Sequence, residues 1–163
     1  MPIADDEDWI RQALAEAAIA NESGEVPVAA IVVHHGKELA RASNRTVRDQ
    51  DSTAHAETLA IRAASAALGQ WRLEGCTLYI TLEPCAMCAG AIVLSRVERV
   101  VFAAWDDKAG MAGSVGDILR HPRLNHRPQV QGGVLEDESS ALLRGFFARK
   151  RAGNFVDTPD VAG

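Results

Sequence analysis

Cysteine is scarce in this 163-residue sequence: there are three, an odd number and too few for a disulfide framework. Two of them share a C-x-x-C, which directs attention to metal or redox use in a reducing compartment and predicts a cytoplasmic protein. Long apolar runs are missing as well. No stretch of 18 or more apolar residues occurs, so no membrane span is expected. The first residues, MPIADDEDW, lack the basic segment and apolar stretch of a signal peptide, and none is expected. There is no internal repeat and no low-complexity tract. Basic charge is in deficit, with a net −5, and taken alone that argues against a nucleic-acid partner.

What is present is an ordinary globular composition, 47% apolar and 24% charged, enough for one buried core. The expected organisation is a single domain over residues 1–151 and a short mobile tail over 152–163. The charge is unevenly placed. Residues 120–151 carry seven basic residues against three acids, a net +4 on a body of −9. That segment is a candidate phosphate-binding face. The plain alternative is a solvated helix end whose cations answer its dipole.

Residues 6–21 place Trp9, Ile10, Ala13, Leu14, Ala17 and Ala18 at helical spacing, and Gly24 supplies a stop. VPVAAIVVHH reads as a buried strand, His34-His35-Gly36-Lys37 as a turn and ELARASN as the returning strand. Asp51, Ser52 and Thr53 precede a helix over about 54–68. CTLYITL is a strand, Cys85 to about Leu94 a helix, and about 98–104 another strand. A short helix is expected near 115–120, a strand in QVQGGVL and a last helix over Glu136 to Arg151. Strands alternating with helices after an opening hairpin predict a three-layer α/β/α sandwich around a mixed sheet.

Within that frame, Pro84-Cys85-x-x-Cys88 at a helix start points two thiols toward one spot, where unpaired amides favour thiolates. A thioredoxin-like dithiol and a structural Cys₃His zinc completed by Cys76 are the competing readings. Cys76 lies at the opposite end of the strand that leads to Cys85, more than about 20 Å away at ~3.3 Å per residue, so it reads as a small buried hydrophobe. His55, Cys85 and Cys88 then form a three-ligand set with one position open, the pattern of a catalytic zinc. Glu57 does not share a helix face with His55. Both reach one point only if the helix meets the site end-on, and there a carboxylate can shuttle protons. A redox dithiol gives His55 and Glu57 no role.

His55-Ala56-Glu57 with Pro84-Cys85-Ala86-Met87-Cys88 is similar to the H-x-E…P-C-x-x-C signature of zinc-dependent nucleobase deaminases. GEVPVAAIVV, the Ser-Asn-Arg at 43–45, DSTAHAE, SRVERVVFAAWDDKAG, HPRLNH and LLRGFFARKR extend the likeness from about residue 7 to 151, and resemble the bacterial tRNA-specific adenosine deaminases in particular. Ser52, Trp105 and Met111 depart from that pattern, and Trp105 offers a surface on which a base can stack. The resemblance implies a cytidine deaminase-like fold and one Zn²⁺ per subunit. It also implies hydrolytic deamination of the wobble adenosine of a tRNA anticodon loop to inosine, with Glu57 as proton shuttle. It implies further that Asn44 binds the nucleoside, Val28 packs the base and the Ala56 amide meets the base's polar edge. Asp106, Lys108, Asn125, Phe147, Arg149 and Arg151 become contacts to the loop, and the protein a homodimer. Two other functions fit the zinc signature: a deaminase of a free base or nucleoside, of guanine or cytosine type, and a non-catalytic zinc-binding partner subunit. The basic segment weighs against the first and Glu57 against the second.

Overall fold

A computed structural model describes residues 5–153. The elements run α1 (Asp6–Glu22), β1 (Ala29–His34), β2 (Lys37–Ser43), α2 (Ala56–Leu68), β3 (Cys76–Leu82), α3 (Ala86–Ser95), β4 (Arg99–Ala104), β5 (Gln129–Gln131) and α4 (Glu136–Arg151). They build one five-stranded sheet in the order β2-β1-β3-β4-β5. β1 is antiparallel to both β2 and β3, whereas β4 runs parallel to β3 and β5 parallel to β4, so the sheet is mixed as expected. The opening hairpin turns on His35 and Gly36, both at positive φ, the geometry a two-residue turn between twisted strands requires.

Each face of the sheet buries its own cluster. α2 and α3 cover Ala30, Val32, Leu78, Ile80, Val100 and Phe102. α1 covers the alternate residues Ile31, Val33, Tyr79, Val101 and Ala103, with Ile10 and Ala13 pointing in. This is the three-layer α/β/α architecture, and the period-two split of strand residues between two apolar clusters is what a sheet buried on both faces demands. Cys76 begins β3, fully buried opposite His34, at the end of the strand remote from Cys85.

Two expectations are corrected. Residues 115–120 form no helix: the segment is turns closed by a single bridge between Ala112 and Asp117. Its polar groups go instead to local partners, among them Ile118 N–H to the Met111 carbonyl and Arg120 to Asp117. The strand in QVQGGVL is confined to Gln129–Gln131, because Gly132 passes so close to Phe102 and Trp105 that a Cβ there would overlap both rings. Of the expected tail, residues 154–163 lie outside the described residues.

α1 is anchored by a buried polar knot. Asp6, fully buried in its first turn, accepts two hydrogen bonds of 2.7 Å from the Arg99 guanidinium and one of 3.0 Å from the Tyr79 hydroxyl. Burial, and then the Asp6 carboxylate, push the Tyr79 phenol above its ordinary pKa, so it stays protonated and donating. Asp6→Ala deletes the acceptor for all three bonds, and breaking a buried ion pair from one side costs about 3–5 kcal/mol. The expected result is a lowered urea midpoint with an unchanged m-value; an unchanged midpoint would show that the knot contributes nothing to stability.

Candidate metal centre and base pocket

One end of the sheet collects residues far apart in sequence. β1 starts there, β2 ends there, and β3 and β4 deliver their carboxyl ends to it. α2 and α3 start there. His55 is the N-cap of α2 and Cys85 the N-cap of α3, both with extended backbone and neither using its side chain to cap its helix. The two side chains are thereby free to face each other. His55 Nδ1 lies 3.6 Å from Cys85 Sγ and 3.5 Å from Cys88 Sγ. Among the described residues these three form the one group of metal-ligating side chains whose ligand atoms all fall within 4.8 Å of one another.

The donor set fits zinc. Ligands at tetrahedral angles, with Zn–N of ~2.0 Å and Zn–S of ~2.3 Å, stand about 3.5 Å apart, as the nitrogen and sulfurs do here. The nitrogen that faces the sulfurs, and would hold the metal, is Nδ1, a detail that spacing alone does not reveal. Hydrogen bonds from Cys88 and His55 hold the Cys85 thiol down at about 4, against the opposing effect of burial. The hydrogen bond to Cys85, together with burial, pushes the Cys88 thiol up. Both sulfurs would bind a metal as thiolates, and binding would release any proton they carry.

Glu57 sits in the first turn of α2, buried beside the cluster. Burial raises its pKa above the ordinary carboxylate value, with its own backbone amide and the Cys88 thiol opposing. Asn44 Oδ1 accepts the Ala56 N–H at 2.9 Å. Asn44 therefore caps α2 in place of His55 by engaging the Ala56 amide. A cavity of about 140 Å³ lies over the centre, lined among others by Val28, Asn44, His55, Glu57, Cys85 and Asp106. A larger pocket of about 270 Å³, between Glu74, Arg96, Glu98, His126 and Arg127, opens at the other end of the strands. Among the described residues no group of three metal-ligating side chains lies there, and the chemistry belongs to the smaller cavity.

The remaining expected contacts are scattered. Lys108 is exposed, its amide bound to Asp106 Oδ1 at 3.0 Å in the loop beside the cavity. Asn125 is exposed at the far end of the sheet, next to His126, whose Nε2 meets the Val97 carbonyl at 2.7 Å. Phe146 is the core residue of α4, and Phe147 lies edge-to-face on it at 5.2 Å with 41% of its surface exposed. Arg149 and Arg151 are exposed in the last turn of α4. Trp105 turns away from the cavity, packing edge-to-face on Phe102 at 4.8 Å above Gly132. Sequence reading missed Val26, Leu82 and Ala109, which also line the cavity, and the buried Glu83. The signal for Glu83 was an acid at the end of an otherwise apolar strand.

Residues 3–104 match the cytidine and deoxycytidylate deaminase zinc-binding region. The chain is 52% identical over 146 residues to the tRNA-specific adenosine deaminase of Bacillus subtilis (strain 168), covering 90% of this chain and 91% of that protein. A structure from a study of A-to-I editing by tRNA A34 deaminases at the wobble position of transfer RNA superposes with a TM-score of 0.80 at 45% identity, over 83% of this chain and 99% of the other. A guanine deaminase from Nitrosomonas europaea superposes at 0.78 with 29% identity, over 91% and 87%. With its paired helix N-termini, its His-Cys-Cys centre and this degree of likeness, the chain belongs to the tRNA-specific adenosine deaminases of the cytidine and deoxycytidylate deaminase zinc-binding family.

Proposed function

We propose that the protein hydrolyses the 6-amino group of the wobble adenosine in a tRNA anticodon loop, giving inosine and ammonia. The observation that carries this reading is the placement of Glu57 and the His55–Cys85–Cys88 centre at the floor of one small cavity walled by Val28 and Asn44. Zinc held by the three ligands supplies a Lewis acid and the means to activate water at neutral pH.

The chain's own groups do the rest. Val28 packs one side of the purine, and Asn44, its oxygen committed to Ala56, offers its amide N–H donors to the nucleoside. Glu57 takes a proton from the attacking water and delivers it to N1 as the oxygen joins C6. It then takes the proton of the new C6 hydroxyl and passes it to the departing amine as the C6–N6 bond breaks, leaving the C6 carbonyl of inosine and ammonia. A raised pKa suits a group that must both accept and release a proton. Base chemistry of this kind needs an unstacked nucleotide, which an anticodon loop presents at low cost. Asp106 and Lys108 stand at the rim of the cavity, where the flanking nucleotides would lie. Asn125 is too far around the molecule to touch the same base and would meet only a remote part of the RNA. The 29% identity to a guanine deaminase keeps the free-base reaction as the competing activity, and the 52% identity to a tRNA enzyme favours the RNA. Free cysteines at all three positions suit a reducing, cytoplasmic setting.

Glu57→Ala is expected to keep zinc and stem-loop binding while single-turnover deamination falls by roughly 10²–10⁴. Deamination at the wild-type rate would identify another proton carrier. Free adenosine, guanine and cytosine assayed beside the stem-loop decide the substrate, and preference for a free base would overturn the tRNA reading.

The RNA grip is assigned to the end of α4, where Arg149, Lys150 and Arg151 follow Phe147. Replacing the three cations by alanine is expected to weaken stem-loop binding and flatten the plot of log K against log salt by up to about 2, at ~0.7 for each phosphate no longer neutralised. Equal slopes for a folded variant would return this segment to a plain solvated helix end.

A homodimer is supported by α3, whose outer stripe sets exposed Met87 and Leu94 on either side of half-buried Ala91. An apolar stripe of this kind, one helical turn repeated, is suited to a second copy of the chain. Leu94→Glu is expected to shift sedimentation toward monomer; an unchanged sedimentation coefficient would place the interface elsewhere.

A further inference from the structure

Glu83 is a buried carboxylate that the proposed reaction leaves without a task. It follows β3 and stands two residues before Cys85, with 2% of its surface exposed. Each of its oxygens is spent on the loop 106–114. Oε1 accepts the Asp106 N–H at 2.9 Å and the Ser114 hydroxyl; Oε2 accepts the N–H groups of Ala112 at 2.9 Å and Ser114 at 3.1 Å. The backbone reinforces the same junction, with Glu83 N–H donating to the Ala104 carbonyl and Met111 N–H to the Pro84 carbonyl, both at 2.8 Å. Gly110 closes over the carboxylate so tightly that a Cβ there would overlap its carboxyl carbon. Its φ is not in the left-handed region, so glycine stands there for space.

Among the described residues this loop pairs with no strand of the sheet; its one bridge, Ala112–Asp117, is to its own continuation, and the carboxylate, with the Met111–Pro84 bond, ties it to the end of β3. The loop also forms one wall of the cavity, through Asp106 and Ala109, facing Val28 and Asn44. We infer that Glu83 is a positioning residue: its carboxylate locks the loop 106–114 onto the turn that carries Cys85, and so fixes the distance between the pocket wall and the metal centre. A base held about 1 Å out of place loses up to ~10² in rate, so the tether acts on turnover more than on affinity, most of which comes from the rest of the RNA. Glutamine cannot substitute. In either orientation its NH₂ would face one of the loop N–H donors that an oxygen now accepts.

The inference rests on the deaminase reading above, and its test separates the two. Glu83→Gln is compared with the wild type for zinc content, amide hydrogen exchange, and kcat and KM on the anticodon stem-loop, well below the melting temperature of each. The expected result is one zinc per chain, faster exchange at Asp106, Ala112 and Ser114 with strand β4 still protected, and kcat lowered about 10–100-fold at a KM within about threefold. Gly110→Ala, which displaces the carboxylate from the opposite side, is expected to act in the same direction and decides the matter if Glu83→Gln does not fold. Wild-type kcat in a folded variant, unchanged exchange in the loop, or a loss of activity matched by loss of zinc would each overturn the assignment. If the wild type leaves the stem-loop untouched, the substrate reading fails, and the exchange measurement alone still decides whether Glu83 holds the loop.

Discussion

The structure depends on two helices meeting end-on. An α-helix begins with backbone N–H groups that have no partner, and most helices satisfy them with the side chain of the N-cap residue. Here neither N-cap does so. His55 and Cys85 turn their side chains toward each other, and for α2 the cap comes from another segment: Asn44 takes the Ala56 amide. Both helix dipoles then point their positive ends at one place, which favours thiolates and any anionic oxygen that forms between them. Helix capping and site building are one event, and a substitution at Asn44 acts on both.

The sheet provides the place for this meeting. A parallel β3–β4 pair joined through α3 puts the start of α3 at the carboxyl ends of its strands, the position where open α/β sheets expose ligand sites. The antiparallel β1 brings Val28 to the same end by running the other way. Loops crossing this end have few sheet partners, and buried carboxylates tether them. Glu25 accepts the amides of Val47 and Arg48 on one side, and Glu83 those of Asp106, Ala112 and Ser114 on the other. A buried charge is tolerated only when its lone pairs are used, and here they are. Burial opposes ionisation of Glu83, but the donors around it outweigh that and hold its pKa below the ordinary carboxylate value.

Charge is segregated along α4. Glu136, Asp137 and Glu138 occupy its first turn and Arg149, Lys150 and Arg151 its last. Each set stabilises the helix end it occupies. The same arrangement concentrates positive charge at one place on a molecule whose total is negative, so the net charge says little about whether the chain can hold a polyanion.

Local chemistry was readable without coordinates. The alternation of strands with helices after the opening hairpin announced the sheet and its two covered faces, and strand length alone removed Cys76 from the metal set, because a strand's rise per residue is fixed. The spacing of His55, Glu57, Cys85 and Cys88 announced an end-on site, because side-chain directions in a helix's first turn are fixed too. Contacts between distant segments left no such periodic mark. Only the tertiary structure showed that His55 presents Nδ1, that Asn44 claims the Ala56 amide, that Trp105 packs away from the cavity and that Asn125 lies at the far end of the sheet. Residues 115–120 carry weak local preference, and their partners in the folded chain decided against a helix. Glu83 marks the boundary between the two kinds of knowledge. An acid closing an apolar strand can be seen in the sequence, but the donors that give it meaning come from residues more than twenty positions away, brought within reach only when β3 and β4 pair.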